Sequence, residues 1–135
     1  MSEAGDAPLR VGLIGAGGIS GVHADAWREI GATVTVYSHD GADELATAYG
    51  FAVADTLDAL LERVEIVDII TPSVTHRGLA LAAIAAGCHV ICEKPLAATA
   101  LDAREVAEAA AAAGVRLFPA HVVRWFAEYR ALRDR

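Results

Sequence analysis

The stretch Arg10-Val-Gly-Leu-Ile-Gly15-Ala-Gly17-Gly-Ile-Ser20 joins a short apolar run to a cluster of glycines. Residues Arg10–Ile14 have the composition of a buried strand, and the residues from Ile19 to about Ile30 have helical character. The glycines therefore lie at a turn between a strand and the helix that follows it.

Three residues of this turn match the G-x-G-x-x-G/A fingerprint of dinucleotide-binding loops. Gly15 permits the tight turn, Gly17 lets a diphosphate approach the backbone, and Ser20 fills a third position that needs only a small residue. The amides around Gly18 and Ile19 would then meet the phosphates at the positive end of the helix dipole. A glycine-rich turn without a ligand is the alternative, but the strand before it and the helix after it favour the binding loop.

The rest of the chain alternates strands with helices. This alternation, together with strands that are apolar almost throughout, predicts a parallel sheet covered on both faces. The expected fold is α/β: a doubly wound parallel sheet in three α/β/α layers, the Rossmann arrangement. The further strands are predicted at Thr33–Tyr37, Phe51–Ala54, Ile66–Ile70, His89–Cys92 and Val115–Phe118, and the helices at about Ala42–Tyr49, Leu57–Val64, Thr75–Ala86, Thr99–Ala113 and from Trp125 to the end.

Composition and charge exclude several classes of protein. The chain has 135 residues and a net charge of −7, which suggests one domain and argues against a nucleic-acid or anionic-membrane partner. Cys88 and Cys92 both lie in apolar runs, which fits reduced, buried thiols in a cytoplasmic protein. Two cysteines are too few for a zinc site of the usual kind, so no metal is expected.

The end of the second strand bears on the choice of cofactor. Ser38 stands where an acidic residue would hold the adenosine ribose of NAD. A serine removes the repulsion of a 2′-phosphate and His39 adds partial positive charge, so the sequence favours NADP. The alternative is that Asp40 reaches the ribose and selects NAD.

Two later segments lie where parallel strands end, at the edge where such sheets bind ligands. They are Thr71-Pro72-Ser-Val-Thr-His76 and Glu93-Lys94-Pro95. The chain resembles the Gfo/Idh/MocA oxidoreductases in these two segments and in three further pieces. The further pieces are the glycine loop, the run Ala85-Ala-Gly87-Cys-His89-Val90-Ile-Cys-Glu93-Lys94-Pro95-Leu96 and the triplet Arg124-Trp125-Phe126. The matching pieces occur in the same order as in that family and extend along nearly the whole chain. The glycine loop is generic, but the combination of the Thr-Pro loop with Gly-x-His-Val-x-x-Glu-Lys-Pro is a specific sign of resemblance to this family.

The resemblance implies roles for the two segments. Lys94 would hydrogen-bond the reacting hydroxyl of a substrate and assist its proton transfer as hydride moves to the nicotinamide. Glu93 would accept hydrogen bonds from the nicotinamide ribose. Thr71 and Pro72 would contact the cofactor, and His76 would either cap its helix or touch the cofactor.

Two further observations accompany this assignment. Lys94 is the only lysine among 11 basic residues, which indicates a position that needs a compact, titratable amine. A cis Lys94–Pro95 bond is also expected from the resemblance. Among the remaining histidines, His23 and His89 are interpreted as structural, and no role is assigned to His121.

The resemblance also implies a second α/β domain that holds most substrate contacts. We expect a disordered N-terminus (1–8), a dinucleotide-binding domain (9–120) and a terminal helix (121–135) leading into a second domain that this chain lacks. On that helix Trp125, Tyr129 and Leu132 share one face with Phe126 adjacent; they would pack on this domain's sheet or form an apolar patch prone to self-association.

Two function hypotheses follow. One is an NAD(P)-dependent oxidoreductase that interconverts a secondary alcohol and a ketone, with a small polyol, sugar or cyclitol as substrate when a second domain is supplied. The other is a non-catalytic dinucleotide-binding module or sensor. For the isolated chain we expect cofactor binding with little or no turnover.

Overall fold

The computed structural model describes residues 7–135 and contains one parallel sheet of six strands. Most of the predicted N-terminal tail (1–8) lies outside the described residues. The strands are β1 (Arg10–Ile14), β2 (Thr33–Tyr37), β3 (Ala52–Val53), β4 (Ile66–Ile69), β5 (His89–Glu93) and β6 (Leu117–Ala120).

The strands lie in the order β3-β2-β1-β4-β5-β6, and all neighbouring pairs are parallel. The order reverses at β1, so the connections on its two sides run in opposite directions and a crevice opens beyond the carboxyl end of β1. The predicted doubly wound fold is therefore confirmed. The glycine loop follows β1 directly, at this crevice.

Within the part of the chain that the structure describes, six helices connect or follow the strands. They are α1 (Ser20–Glu29), α2 (Ala42–Tyr49), α3 (Leu57–Leu61), α4 (His76–Ala85), α5 (Ala100–Ala113) and α6 (Ala127–Arg133), with 3₁₀ turns at Ser73–Thr75 and Val122–Trp125. None of the helices within residues 7–135 has the length and apolar character needed to cross a membrane.

The strands bury side chains on both faces of the sheet, as their apolar sequences predict. One core cluster lies under α1 and α2 and includes Val11, Leu13 and Val36. The other lies under α4 and α5 and includes Val90 and Val106. The loops at the carboxyl edge of the sheet therefore start from strands that are packed on both faces.

The C-terminal part of the chain differs most from the prediction. β6 begins two residues later than predicted, because Gly114 has a φ of +70° and the Val115 N–H still bonds back to the Ala110 carbonyl oxygen at the end of α5. The final helix begins at Ala127 and not at Trp125, because Phe126 is extended and interrupts the helical path.

The C-terminal segment exposes its large apolar side chains. Trp125 is 76% exposed, and Phe126, Tyr129 and Leu132 are each at least half exposed. The interpretation that this face packs against the domain's own sheet is therefore wrong.

Thr99 is the N-cap of α5. Its hydroxyl oxygen accepts a hydrogen bond from the Asp102 N–H at 3.1 Å, which satisfies one of the free amides at the helix start. The Asp102 carboxylate lies 3.5 Å from Arg77 of α4.

We expect Thr99→Ala to lower the free energy of unfolding by about 1 kcal/mol, because α5 would begin with an unpaired amide. Urea denaturation measures the change. Thr99→Ser retains the hydroxyl and serves as the matched control. Equal stability of the alanine and serine variants would contradict the capping role.

Candidate functional site

A groove of about 510 Å³ opens at the carboxyl edge of the sheet. The glycine loop forms one wall, the residues after β2 form a second, and the Thr71-Pro72 loop forms the third. A groove of this volume is within the range of cavities that bind small molecules and cofactors.

The glycine loop leaves room for a ligand against the backbone. Gly15 has a φ of +115° and its amide donates to the Tyr37 carbonyl oxygen at 2.9 Å, which fixes the turn. A Cβ added at Gly17 or Gly18 would meet no described atom within 4 Å. The open space therefore lies directly over the backbone, where a diphosphate would approach.

The start of α1 offers donors to that space. The amides of Gly17, Gly18 and Ile19 make no backbone hydrogen bond to another described residue, whereas the Ser20 N–H donates to the Gly17 carbonyl oxygen at 3.0 Å. Free amides at the positive end of a helix are a suitable site for phosphate groups. These residues fit the diphosphate of a dinucleotide, and their chemistry requires no metal ion.

The residues after β2 line the groove together. Ser38, His39 and Asp40 all contribute to its wall, and the rings of Tyr37 and His39 meet edge to face with centroids 5.9 Å apart. The sequence left open whether Ser38 or Asp40 meets the adenosine ribose. Both residues line the same wall of the groove, so either could reach a ribose bound there.

The Thr71-Pro72 loop lines the groove opposite these residues. The Thr75 hydroxyl lies 2.7 Å from both the Thr71 hydroxyl and the Pro72 carbonyl oxygen. These hydrogen bonds connect the start of the loop to the turn that precedes α4.

His76 joins two loops. One ring nitrogen lies 2.8 Å from the Pro95 carbonyl oxygen and the other lies 2.7 Å from the Thr71 carbonyl oxygen. The residue is only 1% exposed, so its ring has no surface left for a dinucleotide. Of the two roles expected for His76, helix capping is not among its hydrogen bonds and cofactor contact has no exposed ring to use; the ring joins the two loops instead.

The predicted Glu93-Lys94-Pro95 segment ends β5 at the same edge of the sheet. The Lys94–Pro95 peptide bond is cis, and Lys94 is exposed. The Glu93 carboxylate accepts from the Lys94 N–H through Oε2 at 3.1 Å and meets His23 of α1 through Oε1 at 2.9 Å. The lysine-bearing loop is therefore tied to the helix that begins at the glycine loop.

Sequence reasoning did not find the cluster around His23. Its Nδ1 lies 2.8 Å from Asp68 Oδ2, and the same oxygen accepts from Trp27 Nε1 at 2.7 Å. Asp68 is 1% exposed in the middle of β4. The one available signal was a carboxylate inside an apolar strand, which demands a partner.

The two carboxylates determine the charge of this histidine. Burial alone would lower the pKa of His23, but the hydrogen bonds and negative charges of Asp68 and Glu93 outweigh that effect and raise the pKa to about 9. His23 is therefore an imidazolium at neutral pH, and it donates from both ring nitrogens.

The neighbouring thiol is inert. Burial, with the nearby charges of Asp68 and Glu93, raises the pKa of Cys92 to about 12, so the thiol does not ionise at neutral pH. Within residues 7–135 no group of three His, Cys, Asp or Glu side chains is arranged to hold a metal ion.

Comparison with known proteins agrees with this geometry. Residues 9–121 match the Gfo/Idh/MocA sequence family, described as an oxidoreductase family with an NAD-binding Rossmann fold. Inositol 2-dehydrogenase 1 of Mycolicibacterium vanbaalenii is 41% identical over 98% of this chain, which covers 40% of that protein.

Two solved structures share the fold. The WlbA dehydrogenase of Chromobacterium violaceum in complex with NADH and UDP-GlcNAcA has a TM-score of 0.89 at 28% identity, over 96% of this chain and 40% of the other. Biliverdin reductase of Synechocystis sp. PCC 6803 in complex with biliverdin and NADP+ has a TM-score of 0.84 at 25% identity, over 95% of this chain and 42% of the other.

The chain thus spans less than half the length of these relatives. The family match covers most of the chain, and the glycine loop, the Thr-Pro loop and the Glu-Lys-Pro segment all lie at the carboxyl edge of the same sheet. The chain belongs to the Gfo/Idh/MocA family of oxidoreductases and corresponds to the NAD(P)-binding Rossmann domain of that family.

Proposed function

We propose that this chain binds NAD(P) and forms the cofactor half of an enzyme that moves hydride between the nicotinamide and a secondary alcohol or ketone. The observation that carries the proposal is the groove beside the glycine loop, which Gly15 and Gly17 line, together with the amides of Gly17, Gly18 and Ile19, which make no backbone hydrogen bond to another described residue. Family membership agrees with this assignment.

In this proposal the adenosine half of the cofactor lies between the end of β2 and the Thr71-Pro72 loop. The diphosphate rests on the glycine loop, and the nicotinamide half extends towards β5. When bound, the nicotinamide ring supplies the hydride acceptor or donor. Glu93 holds the nicotinamide ribose, and Lys94 hydrogen-bonds the reacting oxygen of the substrate and assists its proton transfer.

The substrate class is proposed from the relatives. Their names include an inositol 2-dehydrogenase and a D-apiose dehydrogenase, which fits a cyclitol or a sugar. The exposed apolar side chains of the C-terminal segment, among them Trp125 and Phe126, fit contact with a substrate-binding domain or with a second copy of the chain.

Titration of the chain with NADH and NADPH, followed by nicotinamide fluorescence, tests the proposal. We expect saturable binding, and we expect ADP to compete because it occupies the adenosine half of the groove. Absence of binding by either nucleotide would contradict the proposal. Cofactor binding without turnover of any polyol or sugar by the protein would support the non-catalytic module instead.

Lys94→Ala tests the catalytic assignment. In a preparation that oxidises a polyol, we expect the variant to lose turnover and to retain NADH affinity, because the amine contacts the substrate oxygen and not the diphosphate. Unchanged turnover would dismiss the role of Lys94.

The preference for NADP is tested at Ser38. We expect Ser38→Asp to weaken NADPH binding by about tenfold or more and to leave NADH affinity similar, because a carboxylate beside the 2′-phosphate is repulsive. Asp40→Asn is the matched control and leaves the ratio of the two dissociation constants unchanged. A wild-type preference for NADH that Asp40→Asn abolishes would assign the ribose to Asp40.

A further inference from the structure

We propose that His23 is a positioning residue that bridges Asp68 and Glu93, and thereby orients the Glu93 carboxylate and the Lys94 loop relative to the glycine loop. This inference rests on the proposed function, because it assigns His23 to the nicotinamide end of the same site.

The bridge connects three parts of the fold. His23 lies one turn into α1, Asp68 lies on β4 and Glu93 ends β5. The two hydrogen bonds of the ring measure 2.8 and 2.9 Å, and the His23 side chain is 15% exposed. An ion pair this well shielded is weakened little by salt and holds its partners in one geometry.

Asp68 serves as the anchor of the bridge. Its Oδ2 accepts from both His23 and Trp27, which fixes the ring from the sheet side. Its Oδ1 is buried with no hydrogen-bond partner among the described residues. A carboxylate this buried is retained only with strong partners, so the imidazolium and the indole determine where it lies.

Glu93 is the group that the bridge positions. Both of its oxygens are occupied, one by His23 and one by the Lys94 N–H. Each carboxylate oxygen can accept a second hydrogen bond, so Glu93 can still receive a ribose hydroxyl while it remains attached to α1. A shift of His23 would therefore move the carboxylate and the first peptide of the lysine loop together.

Few charged groups lie close to His23. Among the described residues, the anions that face it are Asp68 from β4 and Glu93 from β5, and Cys92 of β5 stays a neutral thiol. On α1 itself, Asp25 pairs with Arg28 on the exposed surface. The state of the bridge therefore follows the protonation of the imidazole.

His23→Gln tests the proposal with two ligands. Glutamine cannot donate a charged hydrogen bond to both carboxylates at once. We expect the variant to bind NADH about tenfold more weakly and to bind ADP with unchanged affinity, because ADP contacts only the glycine loop and the adenosine part of the groove. A merely structural role would weaken both ligands equally.

Two controls complete the experiment. His89→Gln replaces a histidine at the opposite end of β5, whose Nδ1 accepts from the Arg116 N–H, and it leaves both affinities unchanged. Because His23 acts through Glu93, the double variant His23→Gln/Glu93→Gln binds NADH no more weakly than Glu93→Gln alone.

The outcomes separate the two claims. A wild-type chain that binds neither nucleotide contradicts the proposed function and this inference together. If the wild-type chain binds both nucleotides, three results for His23→Gln contradict this inference alone. They are full NADH affinity, an equal loss of affinity for NADH and ADP, and a loss of NADH affinity that adds to the loss caused by Glu93→Gln.

Discussion

Gly17→Val is expected to reduce NAD(P)H affinity by more than about 100-fold while the fold remains intact. A side chain at this position enters the open space over the glycine loop and keeps the diphosphate away from the amides. Each charge-assisted hydrogen bond contributes roughly 1.5–3 kcal/mol, and the loss of two of them exceeds the roughly 2.7 kcal/mol that corresponds to 100-fold. Fluorescence titration measures the affinity.

Gly15→Ala provides the contrasting variant. The φ of +115° at Gly15 disfavours any side chain, and an added Cβ would lie 3.0 Å from the Ile70 side chain and 3.2 Å from its carbonyl group. This substitution therefore lowers the free energy of unfolding by about 1–3 kcal/mol. Gly17→Val has no such contact, so its unfolding curve in urea stays close to that of the wild type.

Gly78→Ala is the matched control. This glycine lies exposed in α4, and a Cβ there would meet nothing within 4 Å. We expect stability to rise by up to about 1 kcal/mol with no change in affinity. Wild-type affinity in Gly17→Val would contradict the placement of the diphosphate on this loop.

The architecture could be predicted because its signals are local. Apolar runs such as Ile66–Ile69 and glycine stops such as Gly50 and Gly114 define strands and helix ends within a few residues of sequence. Strict alternation of the two elements then leaves few topologies. The glycine loop could be placed for the same reason, since it is a single turn between β1 and α1.

The chemistry that joins distant segments could not be predicted in this way. His23 is 45 residues from Asp68 and 70 from Glu93, and β1, β4 and β5 become neighbours only through the reversal of strand order. The role of His76 depends likewise on the Pro95 carbonyl oxygen, 19 residues away. The sequence named His76 as a candidate and gave His23 a structural interpretation, but the partners that decide their roles come from the sheet.

The same two contacts suggest how the domain is organised. His76 ties the Thr71-Pro72 loop to the Lys94–Pro95 loop, and His23 ties Glu93 to α1. The groove walls are thus joined by two buried or half-buried histidines below the surface that the cofactor would contact. The site is preorganised from within the domain, which lowers the entropy lost on binding.

The charge of His23 gives the second large prediction, which concerns stability. We expect the free energy of unfolding to fall by roughly 2 kcal/mol between pH 6.5 and 8.5, with a maximal slope of about 1.4 kcal/mol for each pH unit. In the folded chain the pKa of His23 is about 9, against the ordinary value of 6.5 that applies to the unfolded chain. Over this interval the unfolded chain releases a proton that the folded chain retains, so a rise in pH favours unfolding.

The pH interval is chosen to isolate this group. Burial also raises the pKa of Cys88 and Cys92 above the ordinary thiol value of 9.0, so these thiols would add a loss of stability of the same sign at higher pH. Below pH 8.5 the thiols are largely protonated in both states, and the slope therefore reports mainly on the imidazolium.

Urea denaturation at half-unit steps of pH, followed by tryptophan fluorescence, measures the slope. His23→Gln removes the ionisable ring, so we expect its stability to be lower at pH 6.5 and nearly constant up to pH 8.5. His89→Gln retains the bridge and keeps the wild-type slope. A flat wild-type profile, or a slope that survives in His23→Gln, would mean that the two carboxylates do not hold a charged ring between α1 and β5.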